Sequence, residues 1–421
     1  MSSESAARMG VVVATAMSIT IVVGAGLLAL PGLSLSLAGQ LGYLPWLIVA
    51  LLMIPLLVIF AFFAREMPSA GGVVGYARAS LGPRVGAMAE VIVLGTFSLG
   101  IPAIALIGAA YLQQVLPGLS VPAAAAGTLT LAYLAGVVGL RISGMVQTLI
   151  AALIVVGLLG IALGYLLAAS PMPVARVDLP ADRAAWAGVA MAIPVVLFAF
   201  TGWEMTAFLA EDMKDPQRTL PLSIWASFVV VTILYVFIAW VVAAHAGPET
   251  SWRQAPFVQL ARGWLGSMGA QAVGIIAALL VVANVVAAFL AASRAVYAAG
   301  RDGLLPGRLG RLDRRQQPWV AMTCTYGLFL GVVALSQGAD LGVDVLLQLA
   351  GQNFFVLYLC AACGYARIHR GQPHRWIAYL AIVSVVVMMS LFSLPGLLYC
   401  AALAALGAGV GAAKARMARP A

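Results

Sequence analysis

Long apolar runs follow one another along almost the whole chain. Each has about 20 residues, the length that an α-helix needs to cross the roughly 30 Å hydrocarbon core of a bilayer. Of all residues, 63% are hydrophobic and only 9% are charged, whereas a soluble domain carries roughly 25% charged residues. We therefore predict an all-α membrane protein with about twelve transmembrane helices, at residues 11–37, 44–64, 85–116, 121–140, 146–169, 187–210, 222–244, 270–292, 320–336, 345–364, 377–394 and 396–413.

Lys and Arg are unevenly distributed between the two sides of this predicted topology. Of the 23 basic residues, 19 lie on the side of the N-terminus, and the other side has only Arg176, Arg183, Arg253 and Arg262. Because Lys and Arg are retained on the cytoplasmic side, we predict a multi-pass protein with both termini in the cytoplasm. The net charge of +9 is then a feature of topology. No nucleic acid partner is expected, since the basic residues are scattered over loops without interleaved aromatic residues.

Two apolar runs contain a break near their middle, at Gly24-Ala25-Gly26 and at Phe200-Thr201-Gly202. Backbone N–H and C=O groups cannot stay unpaired in lipid, so a helix that breaks at membrane depth must line a protected cavity. Close packing of small residues is the other interpretation of such glycines. The clustering of Gly24 and Gly26 with Pro31 and Gly32 favours a true unwinding.

The first and sixth predicted spans therefore share one layout, a half-helix, a break and a second half-helix. The second break lies five spans after the first, so the broken helices cross the membrane in opposite directions, as an inverted repeat of five plus five spans requires. We place the repeats at about residues 9–169 and 185–364, with accessory helices at about 375–413. The loops are short, and residues 1–421 are read as a single membrane domain.

Two facing breaks can bind a zwitterion. Free N–H groups at the start of the half-helix after Gly24 suit a carboxylate, and exposed carbonyls near Phe198 to Thr201 suit an ammonium group. The neighbouring side chains are uncharged, which favours a neutral L-amino acid as the small-molecule substrate. The predicted substrate site comprises Val22, Val23, Gly24, Ala25, Gly26, Gly100, Ile101, Phe198, Thr201 and Gly202.

Glu204 is the one acidic residue well inside the sixth predicted span. Burying a carboxylate there is costly, so the residue is a functional candidate. Two interpretations stay open: a hydrogen bond that repairs the break, or a role in gating or proton coupling. A membrane enzyme would need a nucleophile with a base, or a metal set, at membrane depth. The sequence offers neither, and we predict no enzyme, no metal and no cofactor.

Several motifs together resemble one known family, the amino acid-polyamine-organocation (APC) superfamily of transporters. The likeness covers nearly the whole chain. It is carried by Val23-Gly24-Ala25-Gly26 with Pro31, Met67-Pro68-Ser69-Ala70-Gly71-Gly72 with Tyr76, Phe200-Thr201-Gly202-Trp203-Glu204 followed by Glu211, Pro216, Arg218 and Pro221, and Arg294, Tyr297, Arg301-Asp302-Gly303, Leu305-Pro306 and Pro318-Trp319.

The resemblance implies a LeuT-like fold in which the unwound first and sixth spans bind the amino acid main chain, at Gly24, Ala25, Gly26, Thr201 and Gly202. It also implies that Phe198 closes over the substrate. The chain looks most similar to bacterial exporters of methionine and branched-chain amino acids, which reside in the cytoplasmic (inner) membrane. Residues 146–169 lack the lysine that some relatives use in place of sodium, which leaves the coupling route open. The alanines at 287, 288, 291 and 292 of the eighth span leave little hydroxyl for a sodium site, although Ser293 remains. Proton-linked antiport is therefore predicted by elimination. An uptake permease or exchanger of the same fold is the alternative, and the oligomeric state is not predicted.

Overall fold

The computed structural model describes residues 10–23, 26–67, 72–138, 144–168, 183–203, 213, 215–245, 251–313 and 317–417. Over these residues the fold is all-α, as predicted. The helices are α1 (Val11–Val22), α2 (Gly26–Ala38), α3 (Leu44–Glu66), α4 (Gly72–Leu81), α5 (Pro83–Gln113), α6 (Val121–Val137), α7 (Gly144–Ala168), α8 (Arg183–Val196), α9 (Pro216–His245), α10 (Ser251–Gln254), α11 (Pro256–Arg301), α12 (Trp319–Gly338), α13 (Val343–Ile368), α14 (Arg375–Ser390) and α15 (Leu394–Met417).

Among the described residues, eight helices are long and apolar enough to cross a membrane, and four shorter apolar ones lie at Gly26–Leu41, Val121–Val137, Val155–Ala168 and Arg375–Ser390. Each of these twelve segments overlaps a different predicted span. Large apolar side chains such as Ile233, Leu279 and Leu398 point outward and are more than half exposed. Apolar side chains on the outside of the bundle suit a hydrocarbon solvent. The chain is a multi-pass membrane protein.

Proline marks where several of these helices begin. Pro45, Pro83, Pro122 and Pro256 occupy the first or second position of α3, α5, α6 and α11. At such a position the missing N–H breaks no helical hydrogen bond, and the fixed φ suits the helix.

The structure differs from the prediction in one loop and in the extent of one span. The predicted loop between the second and third spans contains the short helix α4, whose Tyr76 and Ala77 are buried. The eighth span was predicted over residues 270–292, but α11 runs for 46 residues with one non-helical position at Gly266, where φ is 68°. Glycine allows that left-handed conformation without steric cost. The element therefore consists of two helices that meet at Gly266.

Helix α5 lies at the centre of the bundle and packs against α13, α11 and α15. Helix α9 packs against α1 and α3 on another side. The buried apolar residues form one main cluster that extends through these helices. Helices α1 and α2 pack against α9, α2 also meets α5, and residues 197–200 after α8 pack against α13. Helices α5, α9 and α13 therefore border the candidate site.

Candidate substrate site

The first break begins where α1 ends. Val22 is the last residue of α1, and Val23 leaves the helix with φ −78° and ψ 73° while its N–H still donates to the Ile19 carbonyl, at 2.7 Å. Helix α2 starts at Gly26, and Gly24 and Ala25 lie outside the described residues. Since the first N–H groups of a helix have no partner within it, the start of α2 offers donors to the break.

The second break begins where α8 ends. After Val196 the chain forms a 3₁₀ turn from Leu197 to Phe200, and Thr201 is extended. Gly202 has φ 115°, a conformation that favours glycine. The helix thus ends before the predicted Phe200-Thr201-Gly202 interruption, which is non-helical at Thr201 and Gly202.

Thr201 fixes the 3₁₀ turn through the carbonyl of Phe198. Its hydroxyl donates to that oxygen at 2.8 Å and its backbone N–H donates to it at 3.3 Å. Two donors use both lone pairs of a carbonyl oxygen. The Phe198 carbonyl is therefore occupied, and an incoming ammonium group would have to use other carbonyls of the break.

Phe198 joins the two breaks to α5 and α13. A Cβ built on Gly26 would lie 3.6 Å from Phe198 Cδ1, and one built on Gly100 would lie 3.5 Å from Phe198 Cε2. A Cβ on Gly351 of α13 would lie 3.3 Å from the N, Cα and Cβ atoms of Phe198. Glycines of α2 and α5 thus lie against the Phe198 ring, and Gly351 of α13 lies against the Phe198 backbone, so that all three helices approach this residue closely.

Two buried tyrosines hold the backbone on either side of the first break. The Tyr235 hydroxyl of α9 donates to the Val22 carbonyl at 3.0 Å, and the Tyr111 hydroxyl of α5 donates to the Leu28 carbonyl at 2.6 Å. Both tyrosines are fully buried. The ring of Tyr235 also contacts the ring of Trp46, with centroids 5.1 Å apart, and that of Phe200, at 5.5 Å. This aromatic cluster packs behind the break.

The structure brings Gly26 and Gly100 against Phe198, to which Thr201 is hydrogen-bonded. Val22 and Val23 lie at the end of α1, where the first break begins. Gly202 follows Thr201. Ile101 is the next residue of α5 and is 4% exposed in the main core. Gly24, Ala25 and the candidate coupling residue Glu204 lie outside the described residues.

The sequence prediction missed Gly351 of α13 and Tyr235 of α9. Tyr235 carried a usable signal, because a hydroxyl in the middle of an apolar run must find a partner at membrane depth. Gly351 carried none, since glycine is common in membrane helices and only the fold places it against Phe198.

The arrangement suits the binding and passage of a small molecule. Two interrupted helices present backbone groups to one region, and its described walls are Gly26, Gly100, Ala350, Gly351 and Phe198, all uncharged. Irregular backbone at membrane depth is typical of transporters, in which broken helices form the substrate site. The fold and site thus define a membrane transporter of the broken-helix type.

The chain belongs to the amino acid permease family of the APC superfamily. The family model described as "Amino acid permease" matches residues 9–415, and the protein is an amino acid transporter. Family and relatives point to transport, as predicted, and not to an enzyme.

Relatives with similar lengths carry related names. The chain is 29% identical over 404 residues to the "Uncharacterized amino acid permease YecA" of Bacillus subtilis, covering 93% of this chain and 92% of the relative. It is 25% identical over 380 residues to the "L-methionine/branched-chain amino acid exporter YjeH" of Escherichia coli, covering 88% of each. It is also 25% identical over 387 residues to the "Branched-chain amino acid permease BcaP" of Bacillus subtilis, covering 85% of this chain and 80% of the relative.

Proposed function

We propose that this protein exports neutral L-amino acids, in particular methionine, leucine, isoleucine and valine, by proton-linked alternating access. It would act in the cytoplasmic (inner) membrane of a bacterium, with both termini in the cytoplasm. Substrate binding would use the residues around the two breaks, namely Val22, Val23, Gly24, Ala25, Gly26, Gly100, Ile101, Phe198, Thr201 and Gly202. Glu204 would take part in gating or proton coupling.

The placement of Phe198 is the observation that carries this proposal. Its ring lies within van der Waals reach of Cβ positions on Gly26 and Gly100, and its own backbone belongs to the second break. One apolar aromatic side chain thus connects the start of α2, the second break and α5. A substrate held by its carboxylate at the start of α2 would direct its side chain toward Phe198. A neutral, apolar side chain fits there without an unpaired charge.

The names of the relatives support the substrate class but are divided on the direction of transport. One relative is named an exporter of methionine and branched-chain amino acids, and another is named a branched-chain amino acid permease. Branched-chain amino acids are common to both names. Uptake or exchange is therefore the second candidate, and the same site would serve either direction, since the gradients decide the net flux.

Counterflow in proteoliposomes tests the proposal. Purified protein is reconstituted with unlabelled amino acid inside, and uptake of labelled leucine, methionine, alanine, lysine and glutamate is measured with and without an imposed pH difference. We expect rapid exchange of leucine and methionine and a dependence of net efflux on the pH difference. Exchange of lysine or glutamate in preference to leucine would refute the substrate class. An efflux rate that is the same with and without the pH difference would refute proton coupling.

A matched pair of variants distinguishes an effect on the substrate site from an effect on folding in the same assay. Phe198→Ala removes the ring that contacts Gly26 and Gly100, whereas Phe228→Ala removes a ring of α9 that packs against Trp203 and Trp225. We expect Phe198→Ala to change the order of preference among the labelled substrates. We expect Phe228→Ala to keep the wild-type order of preference, even if less of this variant folds.

A further inference from the structure

Two adjacent amide side chains of α13 are buried with most of their polar atoms unpaired. Gln352 and Asn353 are both 0% exposed. Within the described structure, Oε1 and Nε2 of Gln352 and Nδ2 of Asn353 have no hydrogen-bond partner. Asn353 Oδ1 alone accepts a bond, from the Cys400 thiol of α15 at 3.1 Å. Unpaired polar atoms inside a membrane bundle are costly and call for an explanation.

The two amides lie between the substrate site and α15. The residues just before them, Ala350 and Gly351, face Gly100 and Phe198. The carboxamide of Gln352 lies directly against Gly396 in the first turn of α15, where a Cβ built on that glycine would lie 2.6 Å from Gln352 Cδ. One stretch of α13 thus touches the site with one side and α15 with another.

Helix α15 itself is fastened to α5. The Tyr399 hydroxyl donates to the Gly95 carbonyl at 3.0 Å and lies 3.3 Å from Ser98 Oγ. A Cβ on Gly95 would overlap the side chain of Leu403, and one on Gly407 would lie 2.6 Å from Met88 Cα. Small residues at such close contacts hold membrane helices firmly together.

The two contacts of α15 therefore differ in kind. Its contact with α5 is close, and there the hydroxyl groups of Tyr399 and Ser98 are paired. Its contact with α13 leaves three amide atoms without partners in the described structure. An interface that stays fixed would gain from apolar side chains at these positions, because replacing unpaired polar groups by apolar ones of similar shape is neutral or stabilising. The presence of Gln352 and Asn353 here is explained if their amide groups form hydrogen bonds in another conformation of the protein.

We propose that Gln352 and Asn353 are positioning residues of the transport step, on a surface of α13 that shifts along α15 and exchanges hydrogen-bond partners as the site opens and closes. Ser393 lies three residues before Gly396, just before the first turn of α15. Its Oγ accepts the Gly396 N–H at 3.3 Å and still has its own proton to donate. This hydroxyl is the partner that a shift of α13 would bring within reach. This inference rests on the proposed transport function.

Disulfide locking tests the shift. In a background with all four native cysteines replaced by serine, Gln352→Cys is combined with Gly396→Cys, and α13 is joined to α15 by oxidation. We expect oxidation to lower L-leucine counterflow at least about tenfold and reduction to restore it, as for a blocked conformational step. Gly95→Cys with Leu403→Cys is the matched control, because it joins α15 to α5, and its counterflow should change less than about twofold on oxidation. Equal counterflow in the oxidised and reduced α13–α15 pair would overturn the proposal.

Hydrogen exchange gives a readout that does not need transport. If wild-type protein fails to exchange L-leucine, the proposed function fails, while the shift of α13 is still measurable in nanodiscs. We expect oxidation of the α13–α15 pair to slow exchange over residues 343–358 at least about threefold, and oxidation of the α5–α15 pair to leave that stretch unchanged. Unchanged exchange in both pairs would overturn the shift itself.

The double variant Gln352→Leu/Asn353→Leu separates positioning from mere structure. Leucine removes the unpaired atoms and keeps a similar volume, so the melting temperature should stay equal or rise while L-leucine counterflow falls about tenfold. A residue with only a structural role would move both readouts in the same direction. Full counterflow in the double variant, or loss of both stability and counterflow, would contradict the assignment.

Discussion

The hydrogen bond between Tyr235 and Val22 offers a sharp test of the first break. The Val22 carbonyl is at the end of α1, and the residue four positions later is Gly26, where α2 begins. This carbonyl thus belongs to the group of terminal carbonyls that a helix cannot satisfy by itself. The Tyr235 hydroxyl, at 3.0 Å, supplies its partner. Tyr235→Phe removes that donor and leaves the ring between Trp46 and Phe200.

The expected magnitude follows from hydrogen bonds in comparable settings. Between membrane helices such bonds contribute about 0.6 kcal/mol on average and up to about 1.7 kcal/mol, and an acceptor that stays buried and unpaired costs about 1–3 kcal/mol. We take about 1 kcal/mol, which corresponds to a roughly fivefold change in an equilibrium constant. Because the Val22 carbonyl borders the proposed site, we expect the substrate dissociation constant to rise about fivefold.

Tyr111→Phe is the matched control on the other side of the break. Its hydroxyl donates to Leu28, at 2.6 Å, but Leu28 lies inside α2, where the N–H of Gly32 can also serve its carbonyl. Loss of the Tyr111 hydroxyl therefore leaves no terminal carbonyl without a partner, and we expect less than a twofold effect. Dissociation constants are measured by scintillation proximity with labelled leucine. An equal or larger effect of Tyr111→Phe would refute the reasoning.

Three further outcomes are expected from other parts of the site. Gly351→Ala places a Cβ 3.3 Å from the Phe198 backbone and should lower the free energy of unfolding by about 1–3 kcal/mol. Gly100→Ala places a Cβ 3.5 Å from the Phe198 ring, an ordinary contact, and should cost much less. Thermal denaturation in detergent compares the two variants. Thr201→Val removes the hydroxyl bond to the Phe198 carbonyl and should weaken leucine binding several-fold, whereas Thr201→Ser should restore it. Glu204→Gln should abolish the pH dependence of efflux, and unchanged flux and pH dependence would refute proton coupling.

Hydropathy predicted the spans well because each crossing helix must carry its own apolar residues. The segments at 121–140 and 320–336 were found close to their observed bounds, Val121–Val137 and Trp319–Gly338. Hydropathy finds a span wherever the helix lies in the bundle, because a helix that faces lipid and one that faces other helices both consist mainly of apolar residues. The helix α4 was missed for the complementary reason. It is short, and burial on only part of its surface, at residues such as Tyr76, gave it no apolar run.

The breaks were predictable, but their surroundings were only partly so. Glycine next to glycine or proline marks weak points along one helix, and Val22 to Gly26 could be read from the sequence alone. Gly351, by contrast, matters because α13 passes within contact distance of Phe198, and that depends on how distant segments pack. The extension of α11 beyond Gly266 escaped for a similar reason, because a single left-handed glycine both interrupts the helix and lets it continue in a new direction.

The two breaks are held in different ways, and the difference bears on how a substrate can enter. At the first break the carbonyl of Val22 depends on a side chain of another helix, Tyr235. At the second, the carbonyl of Phe198 is held within its own turn by Thr201. A motion of α1 relative to α9 therefore alters the first break directly, whereas the 3₁₀ turn can move as a unit and carry the Phe198 ring with it. Since that ring touches positions on α2 and α5, and the Phe198 backbone touches Gly351 of α13, a displacement of the turn would open the region between the breaks without unfolding either one.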